Sequence, residues 1–256
     1  MIPHRPHFNL VEALCATRGI ICVVGAGGKK STMYRLAAEH GGRVGITSTV
    51  VIPPFPDTFT GARVIAEESR LTPAVIESAR RERTVAYALP MVKPERLGAV
   101  AAARITHIHA AAHFDVTLVK CDGARGRLIK APGPEEPVIP ASAATVIPIV
   151  SARAVGKRLS ERIAHRVAHI TAITGARPGD LITPMHVARL LASADGALKD
   201  VDDATVVPVI NMIDNRKLEI AAREAAAIAL DLCDRIQRVA LTSMRMADPI
   251  IDIVSQ

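Results

Sequence analysis

Short β-branched runs alternate with longer, Ala-rich stretches along most of the chain. Residues 20–24 (IICVV) form an apolar run of strand length, and 29–40 after them carry a helical pattern. Residues 43–49 (RVGITST), 116–121 (VTLVKC) and 145–150 read as further strands, with shorter candidates at 63–66 and 84–89. Helical patterns cover 95–112, 159–172, 184–194 and 216–235. Residues 205–210 read as a strand although Pro208 marks an end or an irregular position, and 238–241 read as the last strand. Such alternation predicts βαβ units: an α/β fold whose mainly parallel sheet carries helices on both faces. A composition shift near residue 151 predicts a mostly helical insert over 151–200, between a core at 1–150 and a return to the core sheet at 201–256.

Two stretches break this rhythm. Residues 50–60 hold Pro53, Pro54 and Pro56, and residues 122–141 hold Gly123, Gly126, Gly133 and four prolines. Both follow predicted strands, where open α/β sheets carry ligands, and long irregular loops in a compact domain are usually functional or disordered.

Composition narrows the classes. Of 256 residues 49% are hydrophobic and 22% charged, so a sizeable core is available and wholesale disorder is excluded. Aromatic residues are only 2%, so Ala, Val, Ile and Leu must build the core. That scarcity counts against a base-stacking platform, and nucleic acid is not an expected partner. The net charge of +7 suits an anion, although scattered basic residues are more simply a solvated surface. Cys15, Cys22, Cys121 and Cys233 are far apart and form no CxxC pair, which fits reduced thiols of a cytoplasmic protein. No apolar run spans a bilayer, and the opening MIPHRPHFNL lacks the apolar stretch of a signal peptide.

The strongest chemical signal is VVGAGGKKST at 23–32, between a predicted strand and a predicted helix. Glycines let backbone N–H groups close on an anion, and a helix N-terminus adds a favourable dipole. Gly25, Ala26, Gly27, Gly28, Lys29, Lys30, Ser31 and Thr32 are therefore candidate phosphate-binding residues of a P-loop-like core. The usual pattern places glycine where Val23 stands and a hydroxyl where Lys30 stands. Either Lys29 is the phosphate lysine and the hydroxyl is displaced, or Lys30 takes that role with Ser31 behind it. A dinucleotide fingerprint is weaker, because Lys30 occupies its third glycine position.

The strand at 116–121 runs into Asp122, where NTPases carry a carboxylate that holds Mg²⁺; Asp122-Gly123 is also an ordinary turn pair. Ser31 and Asp122 are the candidate metal residues, and Lys29 and Asp122 the candidate catalytic ones. After the strand at 205–210, Asn211 and Asp214 stand in an N-x-x-D spacing that suits guanine recognition, with Met212 in the usual lysine position. An Asx turn capping the next helix explains them equally well. His107, His109 and His113 lie on a predicted helix without a completing carboxylate or Cys, and a solvent-facing helix is the simpler account.

GAGGKKST at 25–32, DGARGRLIKAP at 122–132, EPVIP at 136–140, Ala164-His165-Arg166 and Asn211-x-x-Asp214 together resemble the YqeC-type accessory proteins of selenium-dependent molybdenum hydroxylases. The resemblance runs from about residue 20 to 241, and the 122–140 block is its most specific part. It implies a cytoplasmic, P-loop-like protein that binds ATP or GTP. It also implies a role in selenium or molybdenum cofactor maturation, with a molybdenum hydroxylase or its cofactor as partner. Arg125, Arg127 and Lys130, on the 122–141 loop, would meet an anionic second substrate. Lys30 stands where the family has threonine, and Lys120 where it has glutamate two residues before the DG aspartate. Both changes remove groups on the Mg²⁺ side and add positive charge. NTP hydrolysis or phosphoryl transfer coupled to cofactor loading is one expectation; a non-catalytic, nucleotide-responsive chaperone or scaffold is the other.

Overall fold

Strands buried on both faces need apolar residues at every position, and alternate residues of the first strand serve two different cores. The computed structural model describes residues 8–93 and 95–256, so most of the stretch read for a signal peptide lies outside the described residues. A short helix α1 (Leu10–Ala13), capped by the Asn9 side chain, precedes β1 (Gly19–Gly25). Next come α2 (Lys29–Glu39), β2 (Val44–Ser48), β3 (Ala62–Ile65), α3 (Glu68–Arg81), β4 (Thr84–Ala88), α4 (Ala102–Ala111) and β5 (Val116–Lys120). The two-residue β6 (Ile129–Lys130) is followed by β7 (Ala143–Ser151), which ends in a 3₁₀ turn at Ala152–Ala154. The rest is β8 (Ala164–His165), α5 (Val167–Thr174), α6 (Pro184–Ala192), β9 (Thr205–Val206), β10 (Val209–Asn211), α7 (Arg216–Leu232), β11 (Arg238–Thr242) and β12 (Ile250–Ser255).

The main sheet runs β12-β11-β10-β7-β1-β5-β2-β4-β3, with β9 also paired to β7, and every strand but β12 is parallel to its neighbours. Ile21 and Val23 of β1 pack with Met33 and Leu36 of α2 on one face. Ile20, Cys22 and Val24 join Leu71 and Val75 of α3 and Ile105 and Ile108 of α4 on the other. Farther along that sheet, α5, α6 and α7 share a third cluster with Ile210, Val239 and Leu241. The fold is thus α/β, as the alternation predicts. Residues 151–200 hold the 3₁₀ turn, β8, α5 and α6, and α6 packs on α7 in the same cluster.

Several boundaries differ from the sequence reading. Helix α3 is absent from it: Pro73 inside the helix masks the Leu71, Val75, Ala79 stripe that buries one face. The helix expected over 95–112 begins only at Ala102, because Leu97 and Gly98 make strand-like bridges to Ile52 and Leu89. The one expected over 159–172 begins at Val167, after β8. The strand over 205–210 splits into β9 and β10 around Pro208, which has no N–H to donate. The edge strand β12 was also unforeseen. His109 turns inward, 2.9 Å from the Thr117 hydroxyl, rather than facing solvent. Cys22 and Cys121 are buried, Cys15 and Cys233 half-buried, and all four are free thiols. No described helix is long and apolar enough to cross a membrane.

From β1 the chain crosses over β5 to β2, whereas β7 later lands on the opposite side of β1. The direction of winding therefore changes at β1. Such a switch opens a crevice outside the carboxyl ends of the strands, here those of β1, β5, β7 and β10.

The core offers one sharp stability test. Tyr87 is fully buried and lies parallel to Phe114 at a centroid distance of 6.5 Å, yet its hydroxyl finds no partner among the described residues. Tyr87→Phe removes a desolvated hydroxyl and should leave stability unchanged or raise it by about 1 kcal/mol in urea unfolding. A clear loss of stability would reveal a partner for that hydroxyl.

Candidate functional site

The loop between β1 and α2 closes tightly because its glycines adopt a backbone that L side chains avoid. Gly25, Gly27 and Gly28 have φ of 86°, 97° and 125°. A Cβ at Gly25 would stand 2.3 Å from the Ile149 carbonyl oxygen, one at Gly27 2.5 Å from the Ser151 nitrogen, and one at Gly28 2.2 Å from Asn211 Nδ2. These glycines are demanded by β7 and by Asn211, before any ligand is considered. The Ala26 N–H donates to Ile149 O and the Gly25 N–H to Asp122 Oδ2, so neither is free for an anion. The N–H groups of Gly27, Gly28, Lys29, Lys30 and Ser31 have no acceptor among the described residues, and no side chain caps α2. Free amides at a helix N-terminus are the ordinary means of holding an anion.

Under this loop lies a buried ion network. Lys29 Nζ donates to the Gly25 carbonyl and stands 2.9 Å from Asp122 Oδ1. Lys130 Nζ lies 2.8 Å from Asp122 Oδ2 and 2.6 Å from Glu136 Oε2, which also accepts from Arg166 at 2.5 Å. Burial pushes the Lys29 ammonium below the ordinary lysine range, against the pull of Asp122. Burial would raise the Glu136 carboxyl, but its hydrogen bonds from Lys130 and Arg166 outweigh this and bring it to about 2. Lys120, at the end of β5, is held down to about 8 by burial and by the Lys29 ammonium. Lys30, half-buried on the first turn of α2, is lowered by burial and by Arg96. Around the loop, Lys29, Lys120, Lys130 and Arg166 face two carboxylates, so the site is biased toward anions.

The sequence candidates separate on this frame. Gly27, Gly28, Lys29, Lys30 and Ser31 carry the unpartnered N–H groups; Ser31 is exposed, Gly28 and Lys30 are half-buried, and Gly27 and Lys29 are buried. Thr32 is buried and its hydroxyl returns to the Gly28 carbonyl. Lys130 does not sit on a solvent-swept loop: it is in β6, buried, and neutralises Asp122 and Glu136. Arg125 is exposed and Arg127 half-exposed. Asn211 is buried; its amide donates to the Gly27 carbonyl, and its oxygen accepts from Thr242 Oγ1 and the Met244 N–H. Asp214 pairs with Arg153, and Asn215, not Asp214, caps α7. Asn211 and Asp214 thus both hold protein groups.

Mg²⁺ does not fit these donors. Asp122 already faces two ammonium groups and a backbone N–H, and Ser31 is exposed at the surface. An ion at about 2.1 Å from Asp122 would have to displace a lysine. Among the described residues no three His, Cys, Asp or Glu side chains converge as a metal cluster.

Glu136 and Arg166 belong to the site, yet the sequence assigned them no role. The signal was there: both fall in the EPVIP and Ala164-His165-Arg166 blocks. A Cβ on Gly133 would stand 2.8 Å from the Arg166 guanidinium, so that glycine lets the arginine reach Glu136.

The fold and loop define an α/β protein with a glycine loop at the switch of its mostly parallel sheet. The YqeC protein family model matches residues 21–168, more than half of the chain, and the chain belongs to that family. It is similar to the Uncharacterized protein YqeC of Escherichia coli (strain K12), 29% identical over 187 residues that cover 71% of each chain.

Two measurements probe the network. Asn211→Ala leaves the Gly27 carbonyl and Thr242 hydroxyl without partners and should cost about 2–4 kcal/mol in chemical denaturation. An unchanged midpoint would mean that Asn211 does not tie the loop to the sheet. For Glu136, the folded carboxyl titrates below its ordinary 4.5. Its contribution is present above that value and is lost as pH falls toward about 2. The stability gap between the unmodified protein and Glu136→Gln should therefore close over that interval; a gap constant with pH would remove Glu136 from the network.

Proposed function

We propose that the protein binds a nucleoside triphosphate, with its phosphates on the amides of residues 27–31, as a nucleotide-responsive accessory protein. The observation that carries this reading is the run of five unpartnered N–H groups beside an excess of buried cations. Lys29 would turn from Asp122 toward the phosphate, and Lys30 and Lys120 would add charge where relatives of this type carry a hydroxyl and a carboxylate.

The same site argues for binding rather than turnover. An ammonium attracts phosphate oxygens but offers no open coordination position for a nucleophile or a leaving oxygen. Asp122, neutralised by two lysines, is poorly placed to activate water. This favours the chaperone or scaffold role over NTP hydrolysis or phosphoryl transfer. The resemblance supplies the setting: cytoplasmic maturation of selenium- and molybdenum-dependent hydroxylases, with the hydroxylase or its cofactor as partner. Since Asn211 and Asp214 bind protein groups, ATP and GTP should bind alike.

Calorimetry with ATP and GTP, each in EDTA and in Mg²⁺, tests this directly. Similar affinities in all four conditions and little phosphate release are expected. Strict Mg²⁺ dependence with brisk hydrolysis would overturn the binding-only role. Ser31→Glu is a cleaner variant than any glycine replacement, because Ser31 is exposed and a carboxylate suits a helix N-terminus. It should keep or raise the melting temperature while weakening nucleotide at least ~10-fold. Undiminished affinity in that variant would remove the phosphates from this loop.

A further inference from the structure

A nucleotide with its phosphates on the amides of residues 27–31 needs room nearby for its nucleoside, and the space around the loop is unequal. Around Asp122 and Lys130 the cavity is about 20 Å³, and beside Lys30 and Lys120 it is again about 20 Å³. Each has room for about one water and none for a ring. On the side of β7 and β10, a cleft of about 470 Å³ opens between the 3₁₀ turn and the start of α7, within the usual size of ligand sites. Arg153, Val155, Lys157, Asp214, Lys217 and Leu218 are among its lining residues.

Both walls of the cleft start at the phosphate loop. Ser151, against which Gly27 is packed, leads into the 3₁₀ turn, and its hydroxyl accepts from the Arg153 N–H. Asn211, whose amide holds the Gly27 carbonyl, leads into Met212. Met212 has φ of 62°, in a region that residues other than glycine avoid. Its Sδ accepts from Ser151 Oγ at 3.2 Å, and a Cβ on Gly28 would stand 3.8 Å from its Cε. The thioether is thus a half-buried apolar step between Gly28 and the cleft. Such strain persists only where the surroundings hold it, and it gathers at ligand sites. Beyond that step, Val155 and Leu218 are half-buried and pack on the third core cluster. Asp214 holds the Arg153 guanidinium and also accepts from Ser243 Oγ. A guanidinium fixed in this way offers a flat cationic face to a ring. The chain has six aromatic residues and none lines the cleft, so Arg153 is its stacking surface.

We infer that this cleft takes the nucleoside of the proposed triphosphate, with the ribose over Met212 and a purine against Arg153, Val155 and Leu218. The assignment rests on the triphosphate reading and extends it from the phosphates to the rest of the ligand. A contact with the face of the base does not read its edge, so adenine and guanine are accepted alike. Lys157 and Lys217, both exposed, keep the approach to the cleft positive.

Calorimetry on the full chain compares ATP, GTP and inorganic tripolyphosphate. ATP and GTP should each bind at least ~10-fold more tightly than tripolyphosphate. Equal affinity for all three overturns the nucleoside cleft and leaves the phosphates on the loop. Binding of none of them overturns the triphosphate reading and the cleft together. Arg153→Lys keeps the charge and loses the flat face. It should weaken ATP by about 5-fold and leave tripolyphosphate unchanged. An equal effect on both ligands, or no effect on either, overturns the stacking role of Arg153. In the unmodified protein, 8-azido-ATP is irradiated in place and its attachment is mapped by mass spectrometry. It should label residues 153–157 or 212–218, and excess ATP should prevent this. ATP-preventable labelling confined to residues 50–60 or 122–141 overturns the cleft.

Discussion

Asp122 is the contact on which the site depends. One carboxylate, nearly excluded from water, accepts the Gly25 N–H and faces Lys29 and Lys130. It thereby joins the end of β5, the turn leaving β1, the first residue of α2 and the two-residue β6. A buried carboxylate with no partner would be driven to neutralise, and a buried lysine likewise. Each therefore fixes the other, and the loop geometry follows. Gly25 must be glycine because β7 passes within a Cβ of it, and its N–H is directed to Asp122. Removing Asp122 would leave two interior ammonium groups uncompensated, which is more disruptive than never having built the pair.

The alternation of apolar strands and Ala-rich helices made the sheet, its parallel sense and most of its elements readable in the sequence. The elements that escaped did so for physical reasons. Pro73 is an interior residue of α3, where local preference argues against a helix and the buried Leu71, Val75 and Ala79 stripe overrides it. Residues 96–100 have helical composition, but the backbone of Leu97 is claimed by Ile52. Both errors are tertiary pairings overruling a local pattern.

For the site, glycines and lysines in a strand–turn–helix context could be read directly, because the chemistry is local. The partners of distant side chains could not. Lys130 looked like a loop cation because flanking glycines and prolines suggest mobility, whereas the short pairing of β6 with β8 puts it inside. Asn211 looked like a recognition residue because its spacing matches one. Only the fold shows that the Gly27 carbonyl, 184 residues away, takes its amide. Glu136 and Arg166 lay in plain view within specific blocks, but their meeting depends on how the 122–141 segment folds back.

The excess of cations then acquires a reason. A protein selected only for stability would not leave Lys120 largely buried, beside two other lysines, with one shared carboxylate already occupied. Such an arrangement costs stability in the empty state, through both desolvation and mutual repulsion. Under the proposed nucleotide binding that cost would fall, so affinity and folding stability would be coupled through the same side chains. A metal would instead add positive charge beside Lys29, Lys120 and Lys130. The lysines at 30 and 120 are thus internally consistent: each makes the site a better anion trap and a worse metal site. This is the physical ground of the proposal that the protein binds phosphate rather than cleaves it.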